Sequence, residues 1–282
     1  MKPPWLNKKI RLGACSEMKS LLRGMRLETV CEQASCPNIG ECFSRSHAAF
    51  LILGPHCTRS CSFCNVIKAK PLPPDMEEPA RVAEAVRKLA LKHVVITSVT
   101  RDDLADGGAG IFARTISNIR KNTPGVTVEV LIPDFKLSMD SLQAVSESAP
   151  DIIAHNVETV PSLYPSVRRG SCYKRSLGVL DTVKSLSPDI RTKSGIMLGL
   201  GEKEVEVIAV MADLSAVKCS FLSIGQYLAP SSLHYPVKEY IAPGQFAYYK
   251  EKALSIGFSH VESGPYVRSS YMAQEYLWKK RI

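Results

Sequence analysis

Six of the chain's nine cysteines lie between positions 31 and 64, in two runs of three. The first run is "CEQASCPNIGEC", Cys31-x4-Cys36-x5-Cys42, and the second is "CTRSCSFC", Cys57-x3-Cys61-x2-Cys64. A tetrahedral zinc ion takes four ligands, and a cubane iron–sulfur cluster has four irons to be held. Each run stops at three. Closely spaced thiolates of the second run can wrap three corners of a 4Fe–4S cubane and leave its fourth iron open. The alternatives there are a zinc ion with a fourth ligand such as His56, or a loop with three idle thiols. Zinc modules usually arrange their ligands as two separated pairs, which an x3-then-x2 triplet does not do.

The surroundings of the cysteines favour metal over disulfide. "MKPPWLNKKIRLG" is basic but lacks a following apolar run, so neither a signal peptide nor a membrane span is expected. Glu17, Glu28 and the lack of an amphipathic Arg/Ser-rich stretch argue against a transit peptide. A cytoplasmic location follows as the expectation, and clustered cysteines in a reducing compartment suggest metal binding. Cys15, Cys172 and Cys219 stand alone and are expected as free, partly buried thiols. The net charge of +9 favours an anionic partner, yet the basic residues are scattered through "LNKKIR", the "RR" at 168–169 and the terminal "KKR". No basic stripe interleaved with aromatics marks a nucleic-acid stacking platform.

Something must hold these thiols, and the elements are legible. At 282 residues, 45% hydrophobic and 22% charged, the chain can bury a substantial core. After residue 49, β-branched runs alternate with helical patterns. Strands are expected at 49–54, 93–99, 125–133, 151–159, 191–201 and 220–229. Helices are expected at 78–92, 111–122, after Ser138, at 173–186, 203–217 and 244–257, with Pro79 in a first turn. Six β-then-α units imply a parallel sheet reached by right-handed crossovers, with strands apolar on both faces. An open doubly wound sheet and a partial barrel both fit. In either, ligands gather at the carboxyl ends of strands, where the cysteine loop, "TSVTRDDLADGG", "HNVET" and "LGLGE" fall.

Cys57-x3-Cys61-x-Phe63-Cys64 after the first strand of such a series resembles the signature of the radical S-adenosylmethionine enzymes. That likeness implies a partial (β/α)6 TIM-type barrel, and a cluster whose open iron is chelated by the methionyl amine and carboxylate of the cofactor. Reductive cleavage then gives methionine and a 5′-deoxyadenosyl radical that abstracts hydrogen from unactivated carbon. The upstream triplet, "VRSSY" at 267–271, and "KPPWL", "TSVTRDDLADGGA", "HNVETV", "KSGIMLGLGE" and "IGQYLAP" narrow the match. Together they resemble the lipoyl synthase family over nearly the whole chain.

The resemblance implies a sulfurtransferase of lipoate biosynthesis and protein lipoylation. Two sulfur atoms enter the sixth and eighth carbons of an octanoyl-lysine on a lipoyl carrier domain, and an auxiliary 4Fe–4S cluster is the sacrificial donor. The carrier would be a glycine-cleavage H protein or an E2 subunit, and the electron donor a reduced ferredoxin or flavodoxin. Metal ligands carried over are Cys57, Cys61 and Cys64 for one cluster, and Cys31, Cys36, Cys42 and Ser270 for the other. Oxygen is a poorer partner than thiolate for such a cluster, so a serine ligand would leave readily. Arg268 is assigned beside Ser270 in catalysis.

Phe63, Asn156, Glu158 and Lys193 are assigned to the cofactor, although Asn156 and Glu158 could instead cap the next segment and Lys193 could be solvated. Asp102 and Asp103 could bind cofactor or cap a helix, and "GLGE" alone could be a simple glycine turn. The segments expected are an N-terminal extension 1–48 with the auxiliary motif, a barrel 49–257, and a C-terminal extension 258–282. The two extensions would help hold the auxiliary cluster.

Overall fold

The computed structural model describes residues 2–7, 15–45 and 47–278. The basic positions 8–11 and 279–281 and the side chain of Cys15 lie outside the described residues. The chain divides into two compact units. One comprises Ile10–Arg59, Asn65–Ile153 and Met272–Ile282, and the other Met1–Lys9, Ser60–Cys64 and Ala154–Tyr271.

The first unit runs through α1 (Cys15–Gly24), β1 (Glu28–Thr29), α2 (Val30–Gln33), α3 (Ile39–Ser44) and β2 (Ala49–Ile52). Two two-residue strands follow, β3 (His56–Cys57) and β4 (Ile67–Lys68), then α4 (Glu78–Lys88), β5 (His93–Ser98), α5 (Ala109–Asn122), β6 (Thr127–Leu131) and α6 (Met139–Glu147). β2 pairs in parallel with β5, and β5 with β6, in the registers Ala49 to Val95 and His93 to Thr127. β1 runs antiparallel, against β2. Phe50, Ile52, Val94, Ile96, Val128 and Val130 are fully buried, as are Val82, Val86, Phe112, Ile116 and Leu142 on the helices. Each such side chain stabilises the fold by about 1.5–3 kcal/mol, which sets the order of strand, helix, strand. Pro79 does fall in the first turn of α4. Ser138 caps α6, its hydroxyl accepting from the Ser141 N–H at 3.3 Å.

The second unit takes up the chain at the end of β7 (Ile152–Ala154) and continues through α7 (Tyr164–Val167), α8 (Tyr173–Leu186) and β8 (Arg191–Leu198). Next come α9 (Glu204–Ala216), β9 (Phe221–Gln226), α10 (Pro243–Ile256) and β10 (His260–Gly264). β8, β9 and β10 are parallel neighbours, with Lys193 opposite Phe221 and Phe221 opposite His260. Their apolar face packs with α9 and α10 through Ile196, Leu198, Val210, Met211, Leu222, Ile224, Phe246 and Val261. The α/β class with a parallel sheet is as expected.

Two expectations need correction. β7 stops at Ala154 rather than 159: beyond it the Val157 N–H turns to the Ser194 hydroxyl at 3.2 Å, and Glu158, at φ +67°, lies outside the extended region although it still forms a parallel bridge to Ile196. β10 is a further parallel strand within the stretch expected as a C-terminal extension. No helix among the described residues is long and apolar enough to cross a membrane.

Candidate functional site

The second cysteine run leaves β2 through Leu53 and Gly54, both with positive φ. The turn is tied at both polar groups: Leu53 N–H donates to Glu78 Oε2 at 2.8 Å, and its carbonyl accepts from Arg101 Nη1 at 3.2 Å. Burial raises the Glu78 pKa above the ordinary carboxylate value. In the first unit, Thr58 is held by Thr100, its N–H donating to the Thr100 carbonyl at 3.0 Å. The Asp102 N–H returns a bond to Thr58 Oγ1 at 3.0 Å.

Arg59 then grips two carboxylates at once. Its Nε and Nη2 reach Asp102 at 2.7 and 2.9 Å, and its Nη1 and Nη2 reach Asp134 at 2.8 and 2.6 Å. Burial opposes the charge on Arg59, but the hydrogen bonds and charges of Asp102 and Asp134 outweigh it and hold the guanidinium above its usual pKa. Asp102 therefore serves the loop, and Asp103 pairs with Arg101 at 2.8 Å. Neither caps α5; the carboxylate there is Asp106, which accepts from Gly108 and Gly110 N–H at 2.9 and 2.8 Å.

The rest of the run belongs to the second unit. Ser62 N–H donates to the Val167 carbonyl at 3.0 Å, Ser62 Oγ to the Ser166 carbonyl at 2.8 Å, and Tyr235 N–H to the Ser62 carbonyl at 2.9 Å. Phe63 packs against the buried trio Val167, Leu200 and Tyr227. Arg59, Ser62 and Phe63, which flank the cysteines, are thus fixed by the scaffold, and Cys57 Sγ accepts from the Arg59 N–H at 3.5 Å. Arg168 is nearby in charge: burial opposes its ionisation, but Tyr164, Glu158 and Cys61 together hold its pKa above the ordinary value. Its Nη1 donates to Tyr164 Oη at 2.9 Å and Ser176 Oγ at 2.8 Å.

In the first unit, α2 carries Cys31 and is capped by Thr29, whose Oγ1 accepts from Glu32 N–H at 3.3 Å. Cys36 N–H donates to the Cys31 carbonyl at 3.0 Å, and Cys42 sits on α3 with its N–H on the Asn38 carbonyl at 2.9 Å. Asn65, the residue after Cys64, donates to the Gln33 carbonyl at 2.9 Å within this unit. Burial, joined by repulsion from Cys36 and Cys42, pushes the Cys31 thiol up to about 12. Three thiols carried on one short segment suit a cationic centre that favours the thiolate form. The eight described cysteines form no disulfide. Among the described residues no three Cys, His, Asp or Glu side chains are arranged around a single ion. A cubane, by contrast, receives its thiolates at separate corners, and the donor set fits that group. Cys172 is exposed and Cys219 fully buried, so neither is the partly buried thiol expected.

Asn156, Glu158 and Lys193 cluster where β7 gives way to a loop along β8. His155 N–H donates to the Lys193 carbonyl at 3.0 Å, and Glu158 N–H to the Gly195 carbonyl at 2.9 Å. Asn156 Nδ2 donates to Glu158 Oε1 at 3.1 Å and to Ser269 Oγ at 2.6 Å. Burial pushes the Glu158 pKa upward, offset in part by Arg168 and Asn156. Lys193 is fully buried, which removes the solvated alternative. Glu202 folds back onto its own turn, accepting from Gly199 and Leu200 N–H at 2.6 and 2.9 Å, so "GLGE" is at least a self-closed glycine turn.

At the other end, Arg268 Nη1 donates to the Val267 carbonyl at 2.7 Å, and Tyr271 N–H to the Arg268 carbonyl at 2.9 Å. Gly225 makes room for this stretch, since a Cβ there would overlap the Val267 carbonyl oxygen. Asn156, Glu158 and Ser269 are therefore brought together. Cys31, Cys36, Cys42 and Cys57 belong to the first unit, and Cys61, Cys64 and Ser270 to the second. Arg59, Arg168 and Ser269 were not singled out from sequence. Arg59 sits inside the cysteine motif and Ser269 inside "RSSY", which was the available signal; Arg168 read only as scattered charge.

The radical SAM superfamily model matches residues 51–214. Methylornithine synthase shares the fold at a TM-score of 0.56 and 14% identity, over 86% of this chain and 81% of its own. SuiB of Streptococcus suis, bound to S-adenosylmethionine, does so at 0.59 and 10%, over 87% and 59%. This is a radical S-adenosylmethionine enzyme, with the partial-barrel α/β fold of that superfamily. Lipoyl synthase of Geobacter metallireducens is 62% identical over 98% of this chain and 97% of its own, and that of Caldanaerobacter subterraneus 56% over 96% and 95%. The chain belongs to the lipoyl synthase family. It is accordingly a sulfur-inserting enzyme that uses S-adenosylmethionine and 4Fe–4S clusters.

Proposed function

We propose that Cys57, Cys61 and Cys64 hold the radical cluster, and that Cys31, Cys36, Cys42 and Ser270 hold the auxiliary one. Asn156, Glu158 and Lys193 bind S-adenosylmethionine, and Phe63 seats the loop beside it. What supports the assignment is the placement of Cys31, Cys36 and Cys42 on one short segment, with the Cys36 N–H on the Cys31 carbonyl at 3.0 Å, alongside a separate cysteine loop anchored through Arg59 and Ser62. Bound at these positions, the clusters and cofactor supply a hydrogen-abstracting radical and the sulfur to be transferred.

The chain's own residues position the parts. Arg59 pins the radical loop through Asp102 and Asp134, and Arg168 places positive charge beside Cys61. Ser270 would serve the auxiliary cluster as a weak oxygen ligand, more easily given up than a thiolate, and Arg268 braces the turn that carries it. Segment 1–48 supplies the auxiliary thiols and 258–282 the serine, on either side of the barrel segment 49–257.

The substrate is an octanoylated lipoyl carrier domain, either a glycine-cleavage H protein or an E2 subunit. Electrons come from reduced ferredoxin or flavodoxin, and the protein works in the cytoplasm. A net charge of +9 suits steering toward an acidic carrier. Carrier affinity should then fall steeply with added salt, and salt-independent binding contradicts the steering. The test of function is anaerobic turnover of an octanoyl-lysine peptide followed by mass spectrometry. Replacement of two hydrogens by two sulfurs is expected; cofactor cleavage with no sulfur gain refutes the reading.

A further inference from the structure

The "RSSY" stretch contains two serines, and the structure gives them different partners. Tyr271 N–H closes onto the Arg268 carbonyl at 2.9 Å, so Ser269 and Ser270 are the two central residues of one hydrogen-bonded turn. A displacement of either serine moves the other. Ser269 Oγ accepts from Asn156 Nδ2 at 2.6 Å, across 113 residues of sequence.

Asn156 in turn is placed to sense a ligand. Both hydrogens of its amide are committed, one to Ser269 and one to Glu158 Oε1, which fixes the orientation of the group. Its Oδ1 is buried and has no hydrogen-bond partner among the described residues, and Asn156 as a whole is only 7% exposed. A buried acceptor left unpaired is unfavourable until a donor arrives. The oxygen is directed at Gly195, where a Cβ would come within 2.8 Å of it, so the glycine keeps the approach clear.

We propose that Ser269 is a positioning residue: through its bond to Asn156 it couples occupancy of the S-adenosylmethionine pocket to the placement of Ser270. The proposal rests on the reading above, in which Asn156 and Glu158 contact the cofactor and Ser270 is the auxiliary cluster's fourth ligand. A hydrogen-bond donor on a bound cofactor that reached Asn156 Oδ1 would polarise the amide and strengthen its N–H bond to Ser269. The turn is then held in the geometry that keeps Ser270 on the cluster. With the pocket empty that hold would be weaker, and Ser270 less firmly placed. Coupling is reciprocal, so the loaded auxiliary site must also tighten cofactor binding.

The experiment measures S-adenosylmethionine affinity by equilibrium dialysis, with the clusters oxidised so that no cleavage occurs. Wild type is compared with a Cys31→Ala/Cys36→Ala/Cys42→Ala protein, which lacks the auxiliary ligands. One intervening hydrogen bond predicts about three- to tenfold tighter binding when the auxiliary cluster is present. Ser269→Ala should abolish that difference, and Ser269→Thr, which keeps the hydroxyl, should preserve it. Mössbauer spectra of the auxiliary cluster should shift on cofactor addition in wild type and Ser269→Thr, and stay still in Ser269→Ala. A Ser269→Ala protein that retains the wild-type difference overturns the proposal, as does a wild type that shows none. Ser270→Ala separates the two layers of the argument. If it leaves the auxiliary spectrum unchanged, the ligand assignment itself fails and the proposal with it. If it alters the spectrum while Ser269→Ala behaves as wild type, only the coupling fails.

Discussion

Replacing Arg59 with Ala should loosen the radical loop far more than replacing either of its partners' exposed atoms. The Arg59 side chain is 7% exposed, Asp134 is fully buried and Asp102 is 27% exposed. Removing the guanidinium takes the paired cation from the buried Asp134 carboxylate, which keeps the Lys136 N–H at 3.1 Å, and breaking one side of a buried pair costs about 3–5 kcal/mol. Losing only the partly exposed pair, through Asp102→Asn, costs about 1 kcal/mol or less. The assay is amide hydrogen exchange on the cluster-loaded protein under anaerobic conditions, read at Thr58 and Asp102, whose N–H groups bond within the loop. Local opening there reports the stability of the pin directly. Arg59→Ala should lower protection by about two to three and a half orders of magnitude, and Asp102→Asn by less than about tenfold. In an Arg59→Ala/Asp134→Ala protein the buried carboxylate is gone, so much of the protection should return. A fall of less than tenfold in Arg59→Ala, or no recovery in the double variant, refutes the argument that Asp134 burial sets the energy.

Ser270→Cys should assemble the auxiliary cluster with normal iron and sulfide content yet lower sulfur insertion by at least about tenfold, since a thiolate leaves iron less readily than an oxygen ligand; full activity would sink the weak-ligand argument. Gly225→Ala sets a methyl against the Val267 carbonyl, an overpacking that costs about 1–3 kcal/mol and shifts the "RSSY" turn. Auxiliary iron content should fall while cofactor cleavage persists, and unchanged loading would contradict the close approach. Glu78 has its pKa raised by burial, so the folded chain holds the proton more tightly and loses stability as pH climbs from the unfolded to the folded value. The thermal midpoint of Glu78→Gln, relative to wild type, should therefore rise as pH increases above the ordinary carboxylate range; a gain that shrinks with pH would reverse the sign.

Much of this molecule was readable in the chain because its strands are covered on both faces. "HVVIT" and "FLSIG" are apolar without alternation, and each became a buried parallel strand. The cysteine spacing carried the site because ligand geometry constrains local sequence. β10 was missed for the converse reason: in "HVESG" only Val261 is fully buried, so no apolar run announces it. The end of β7 was misplaced because the chain departs from regular strand after Ala154, in the middle of a β-rich string, and no residue type enforces that. Contacts such as Arg59 to Asp134, 75 residues apart, or Asn156 to Ser269 leave no periodic trace. They exist only once the strands have brought their ends together, and they are where the polar chemistry of the site is held.

The central claim is a division of labour between the two cysteine runs, one generating the radical and the other giving up sulfur. It is tested most directly by rebuilding the clusters with isotopically heavy sulfide, removing free sulfide, and following one turnover on an octanoylated carrier by mass spectrometry. Both sulfurs of the product should be heavy. The Cys31→Ala/Cys36→Ala/Cys42→Ala protein should still cleave S-adenosylmethionine while transferring no sulfur. Light sulfur in the product, or insertion by that variant, would contradict the assignment.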